Sequence, residues 1–86
     1  MGYKILLHKD AAKFMKQLVG QSQATFLERL KQLENFPQTR LDIIKISGEK
    51  DTFRLRIGKY RALFKVYYQE KTIVVVKIDL RRRIYR

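Results

Sequence analysis

The chain's only proline, Pro37, separates two hydrophobic periods, and any fold for this sequence must satisfy both. Before it, Ala11, Phe14 and Leu18 recur at spacings of three and four, with Met15 and Val19 widening the stripe. That pattern predicts a helix starting at Lys9 and Asp10 and stopped by Gly20. Ser22 is read as the next N-cap, and Phe26, Leu27, Leu30, Leu33 and Phe36 form a second stripe that ends before the proline. The break between the two helices is short, which favours antiparallel neighbours, and both stripes are read as core. After Pro37 the period falls to two. Phe53, Leu55 and Ile57 take one side of a strand and Arg54 and Arg56 the other, and Gly58-Lys59 forms a hairpin turn into a strand from Tyr60 to Tyr68. Glu70-Lys71 turns the chain again into a last strand, Thr72 to Ile78. Leu41 to Ile46 is extended and leads to a turn at Ser47-Gly48, and Ile5 to Leu7 form a short strand at the start.

What each element must bury sets the architecture. With 86 residues, 45% of them hydrophobic, the chain is expected to make one compact domain, 1–86, with a small core. A two-helix hairpin with one apolar stripe and a sheet with one apolar face cover each other. The expected fold is therefore α+β: an N-terminal strand, a two-helix hairpin, then an antiparallel three-strand meander with the helices on one face. The opposite face of the sheet is left open. Arg54 and Arg56 belong there, and Arg61, Lys65 and Lys77 are expected to join them as cross-strand neighbours.

Charge gives the first indication of function. Twenty Lys and Arg against 8 Asp and Glu give a formal net charge of +12, and the excess is uneven. Residues 1–44 hold 7 basic and 4 acidic side chains, net +3, whereas residues 45–86 hold 13 and 4, net +9. Cations repeated along strand faces, with Tyr60, Tyr67, Tyr68 and Tyr85 interleaved, suit the gripping of phosphates and the stacking of unpaired bases. A basic strand face also occurs as a solvated guard against aggregation, but so large a local excess favours a polyanion partner. The Arg81-Arg82-Arg83 run has the composition of a basic tail, yet Ile84 and Tyr85 after it offer an apolar anchor. Without cysteine there is neither a disulfide framework nor a thiolate metal site. The apolar start, Ile5 to Leu7, is too short for a signal peptide, so a cytoplasmic protein with no membrane association is expected. His8, the sole histidine, lies at the end of the first strand, away from the basic hairpin, and is read as a packed or capping residue.

Three segments taken together point to a family. They are Ile46-Ser47-Gly48, the run Phe53-Arg54-Leu55-Arg56-Ile57-Gly58-Lys59-Tyr60-Arg61-Ala62-Leu63-Phe64, and Arg81 with Tyr85 four residues later. The chain resembles the RelE/ParE toxin superfamily over nearly its whole length, and within it the archaeal and bacterial RelE-type messenger RNA interferases. The resemblance implies a toxin of a type II toxin–antitoxin system, a ribosome-dependent endoribonuclease that cuts mRNA in the A site. It also implies silencing by a RelB-like acidic antitoxin in a hetero-oligomer. Carried over by position, the implied catalytic residues are Lys45, Arg54, Arg61, Arg81 and Tyr85, with Ile46 beside them and Arg56 as a further match. ParE-type relatives, which share the fold and poison DNA gyrase, are the alternative, as is a non-catalytic RNA-binding module. Arg81 and Tyr85 favour the nuclease branch.

The residue types fit cleavage without a cofactor. In the metal-independent route the 2′-hydroxyl attacks the adjacent phosphorus, so a site must align that oxygen, neutralise the added charge and protonate the leaving 5′-oxygen. Arg54, Arg61 and Arg81 suit charge neutralisation, because a guanidinium stays protonated and meets phosphate oxygens through two parallel bonds. Lys45 or Tyr85 would carry the proton; which acts as acid and which as base stays open. Lys65, Lys77, Arg82 and Arg83, with Arg56, are assigned to RNA binding, and Ile46 to a wall against a base. Glu49, Asp51, Glu70 and Asp79 are scattered along the chain and make no carboxylate cluster, so no metal is expected.

Overall fold

The structure, a computed structural model, describes residues 2–80. Its elements run β1 (Lys4–Leu7), α1 (Lys9–Gln17), α2 (Gly20–Gln32), a single 3₁₀ turn (Leu33–Asn35), β2 (Asp42–Lys45), β3 (Thr52–Ile57), β4 (Tyr60–Tyr67) and β5 (Thr72–Leu80). The α+β class and the helix-covered sheet follow the sequence reading. The sheet itself is larger, with five strands in the order β1-β5-β4-β3-β2. β2 to β5 form an antiparallel meander of four strands rather than three, and β1 returns parallel to β5 along the far edge. The segment read only as extended, Leu41 to Ile46, supplies the fourth strand. As an edge strand it has apolar residues on both sides, Ile43 and Ile44, so it lacks the alternation that marked β3.

The helix boundaries shift for identifiable reasons. α1 ends at Gln17, and Leu18 turns extended so that its side chain drops into the core. Gly20 begins α2 instead of stopping α1. It adopts φ +58°, and Val19 rather than Ser22 occupies the N-cap without making a side-chain hydrogen bond. Val19 is consequently 78% exposed and does not extend the first stripe. Leu27, read into the second stripe, is also exposed. His8 caps α1: the Asp10 N–H donates to His8 Nδ1 at 3.2 Å. His8→Ala should therefore cost about 0.5–1 kcal/mol in urea unfolding, with His8→Asp recovering it.

The core is a single cluster between the two layers. Ala11, Met15 and Leu18, with Phe26, Leu30 and Leu33, meet Leu55, Ile57, Ala62, Phe64, Val66, Ile73, Val75 and Ile78. Phe36 joins it with edge-on contacts to Phe53 and Phe64, whose rings stack at 5.5 Å between centroids. Gly58-Lys59 forms the two-residue connection between Ile57 and its partner Tyr60, and Gly58 supplies the positive φ of +58° that such a hairpin needs at its first position. At the opposite end of the sheet Tyr68 packs edge-on to Tyr3. Partial burial, then the nearby Asp51 and Tyr3, raise the Tyr68 hydroxyl's pKa above its ordinary value of 10.0. No helix among the described residues is long and apolar enough to cross a membrane.

Candidate nucleic-acid interface

Strand pairing puts directly opposed residues on the same side of the sheet, so the register sorts every basic residue of the hairpin. Leu55 pairs with Ala62 and Ala62 with Ile78, all buried under the helices. The residues between them face the other way. One row across that second face reads Asp42, Arg56, Arg61 and Asp79; the next reads Ile44, Arg54, Leu63 and Lys77. A third runs Thr52, Lys65, Val74 and Leu6, and Ile46 sits beside Thr52, donating its N–H to the Thr52 carbonyl at 2.9 Å. Arg54, Arg56, Arg61, Lys65 and Lys77 therefore share one face. A β-bulge between Leu63 and Phe64 lets β5 keep Lys77 on that side despite the change of parity after Val75.

The face is graded rather than uniformly washed by water. Arg61 is only 5% exposed, Arg54 and Lys65 are half-buried, and Arg56 and Lys77 are exposed. Both Arg54 and Arg61 are engaged with neighbouring groups. A guanidinium so deep in a protein presents a charge that water screens poorly. The second row places Arg54 between Ile44 and Leu63, giving a cation flanked by apolar side chains, one of them 44% exposed. Such a surface can hold a phosphate while its margins contact a base or sugar.

Two parts of the sequence-derived set fall elsewhere, and a third is not among the described residues. Lys45 pairs with Phe53, so the pleat turns it toward the helix side of the sheet, one position out of step with Ile44 and Ile46. It is exposed, at the end of the edge strand. Tyr60 lies on the helix side of the sheet rather than on the basic face, edge-on to Phe14 and Phe26 at 5.5 and 5.7 Å. Arg81, Arg82, Arg83 and Tyr85 lie outside the described residues. The sequence reading missed Asp42 and Asp79, which flank Arg56 and Arg61 in the first row. It also missed the apolar Ile44, Leu63, Val74 and Leu6; carrying the parity of β3 across its neighbours would have found them. Among the described residues no three His, Asp or Glu side chains come together.

Comparison with known proteins gives a consistent picture. Residues 5–85 match the family model described as the ParE toxin of the type II toxin–antitoxin system parDE. A curated protein of Methanocaldococcus jannaschii named as the toxin RelE1 is 28% identical over 88 residues, spanning 100% of this chain and 98% of that one. Among solved structures, the archaeal RelE–RelB complex from Pyrococcus horikoshii OT3 superposes with a TM-score of 0.82. It is 32% identical, over 96% of this chain and 99% of the other. The isolated E. coli RelE toxin has the same fold at 17% identity, with a TM-score of 0.76 over 96% and 90% of the two chains.

Proposed function

The chain is a toxin of the RelE/ParE family of type II toxin–antitoxin systems, and from that membership we propose that it is a ribosome-dependent endoribonuclease that cuts messenger RNA in the A site and so arrests translation. The observation that carries this reading is the convergence of Arg54, Arg56, Arg61, Lys65 and Lys77 on one face of the sheet. In the proposed reaction the 2′-oxygen forms a bond to phosphorus as its proton passes to a base. The bond from phosphorus to the 5′-oxygen then breaks, and that oxygen takes a proton from an acid, leaving a 2′,3′-cyclic phosphate and a free 5′-hydroxyl. Arg54 and Arg61, with Arg81, neutralise the charge that builds on the phosphoryl oxygens. Arg56, Lys65, Lys77, Arg82 and Arg83 hold flanking phosphates, and Ile46 borders a base.

Lys45 and Tyr85 are the proton carriers in this scheme. Among the described residues β2 is the last strand of the sheet, and in this scheme the Lys45 ammonium, on its four-carbon stem, would pass round that edge to the basic face. The same basic face suits a RelB-like acidic antitoxin, the partner present in the solved archaeal relative. Expression of the chain without an antitoxin should arrest growth and accumulate messenger fragments, and Arg81→Ala should relieve both. Gyrase trapped on broken DNA with messenger left intact would overturn the reading in favour of the ParE branch.

A further inference from the structure

At the Gly58-Lys59 end of the sheet, α2 and the β3–β4 hairpin enclose a cleft of about 440 Å³, a size that takes one nucleotide. Its floor is apolar, built from Phe26, Ile57 and the ring of Tyr60. Its rim is cationic, with Arg29 from α2, Arg56 from β3 and Lys59 from the turn, and no acidic residue among the described ones lines it. Lys59 Nζ stands 5.6 Å from the centre of the Tyr60 ring. Arg29 is paired with its sequence neighbour Glu28, which also accepts from Gln32. Both partners are solvent-exposed, so exchanging that carboxylate for a phosphate costs little.

Two further features favour an anion. α2 begins without a side-chain cap and without an acidic residue in its first turn, so the positive end of its dipole is uncompensated where Gln21 and Ser22 reach the cleft. Arg56 belongs both to this rim and to the first row of the basic face, which makes the two surfaces continuous. We propose that the cleft is a second RNA site, which seats one unpaired nucleotide beside the cleaved segment with its base against the part of the Tyr60 ring left open to the cleft and its phosphate between Arg29 and Lys59. This inference rests on the RNA reading of the sheet face, but it is tested without cleavage.

The probe is a short single-stranded oligouridylate carrying 2′-O-methyl groups, which offers no 2′-hydroxyl for attack. Titrated into the intact chain, it should shift the amide resonances of Ser22, Thr25 and Gly58. The double variant Arg29→Ala/Lys59→Ala should bind it about tenfold more weakly, with a salt dependence shallower by about 0.7 in log–log slope for the one phosphate released. Unmoved amides at those three positions in the unaltered chain, or a double variant with unchanged affinity and slope, would overturn the site. So would a response to an oligoglutamate peptide but not to the oligonucleotide, which would assign the cleft to an acidic protein. A chain that binds the oligonucleotide here yet leaves messenger uncut on ribosomes would retain this site and lose the proposed activity.

Discussion

Arg54→Ala should lower the rate of messenger cutting on the ribosome by about 10²–10³-fold while leaving the fold in place. Arg54 sits in the middle of the sheet face, opposed by Ile44 on one side and Leu63 on the other, and its row contains no carboxylate. A half-buried guanidinium there presents its charge through a less polar surrounding than a surface lysine does, so its effect on a developing phosphoryl charge is larger. Arg54→Lys should recover only part of the rate, because an ammonium keeps the charge and loses the two-pronged geometry. Lys16→Ala, on the solvent side of α1, should change cutting by no more than a few-fold and acts as the control for net charge. Equal loss in Arg54→Ala and Lys16→Ala, measured by primer extension on the cut messenger, would mean that bulk charge alone drives the activity.

The second large effect is on stability. Phe64 is fully buried at the centre of β4, stacked on Phe53 and edge-on to Phe36, with Val75 opposite it on β5. Phe64→Ala should cost about 3–5 kcal/mol, the transfer loss plus the cavity left behind, since the sheet backbone on both sides cannot collapse into the gap. A chain of this length starts with little to spare, so the midpoint of thermal unfolding should fall by tens of degrees. Phe64→Leu, which refills most of the volume, should recover more than half of the loss. A Phe64→Ala protein that melts within a few degrees of the parent would show that the layer interface is not what holds the sheet to the helices.

How much of this was legible beforehand depended on whether a residue's role was local. The β3–β4 hairpin could be read residue by residue, because Phe53, Leu55 and Ile57 alternate strictly with Arg54 and Arg56 and Gly58 fixes the turn. The face holding Arg61 and Lys65 followed from the same parity, whereas Lys77 reaches it through the register shift opposite Leu63 and Phe64, which alternation alone does not reveal. β1 could not be placed in that way: its parallel pairing to β5 spans both helices, and nothing in Lys4–Leu7 specifies a partner so distant in sequence. β2 was obscured by its position, since an edge strand with Ile43 inward and Ile44 outward has no clean period. Lys45 pairs with Phe53, one position out of step with Ile44 and Ile46. One residue's difference in register sends a side chain to the other face of a sheet, and a motif read along the chain does not carry that information. Tyr60 illustrates the same point, since the pleat turns it to the helix side, away from the basic face on which its composition suggested a stacking platform.

The most direct measurement of the central claim is the mapping of messenger ends on programmed ribosomes incubated with the purified chain. The expected result is a discrete cut within the A-site codon, 2′,3′-cyclic phosphate on the upstream fragment, and no such ends with Arg54→Ala. Messenger that stays intact with the folded parent chain, or is cut equally by the parent and by Arg54→Ala, would contradict the account.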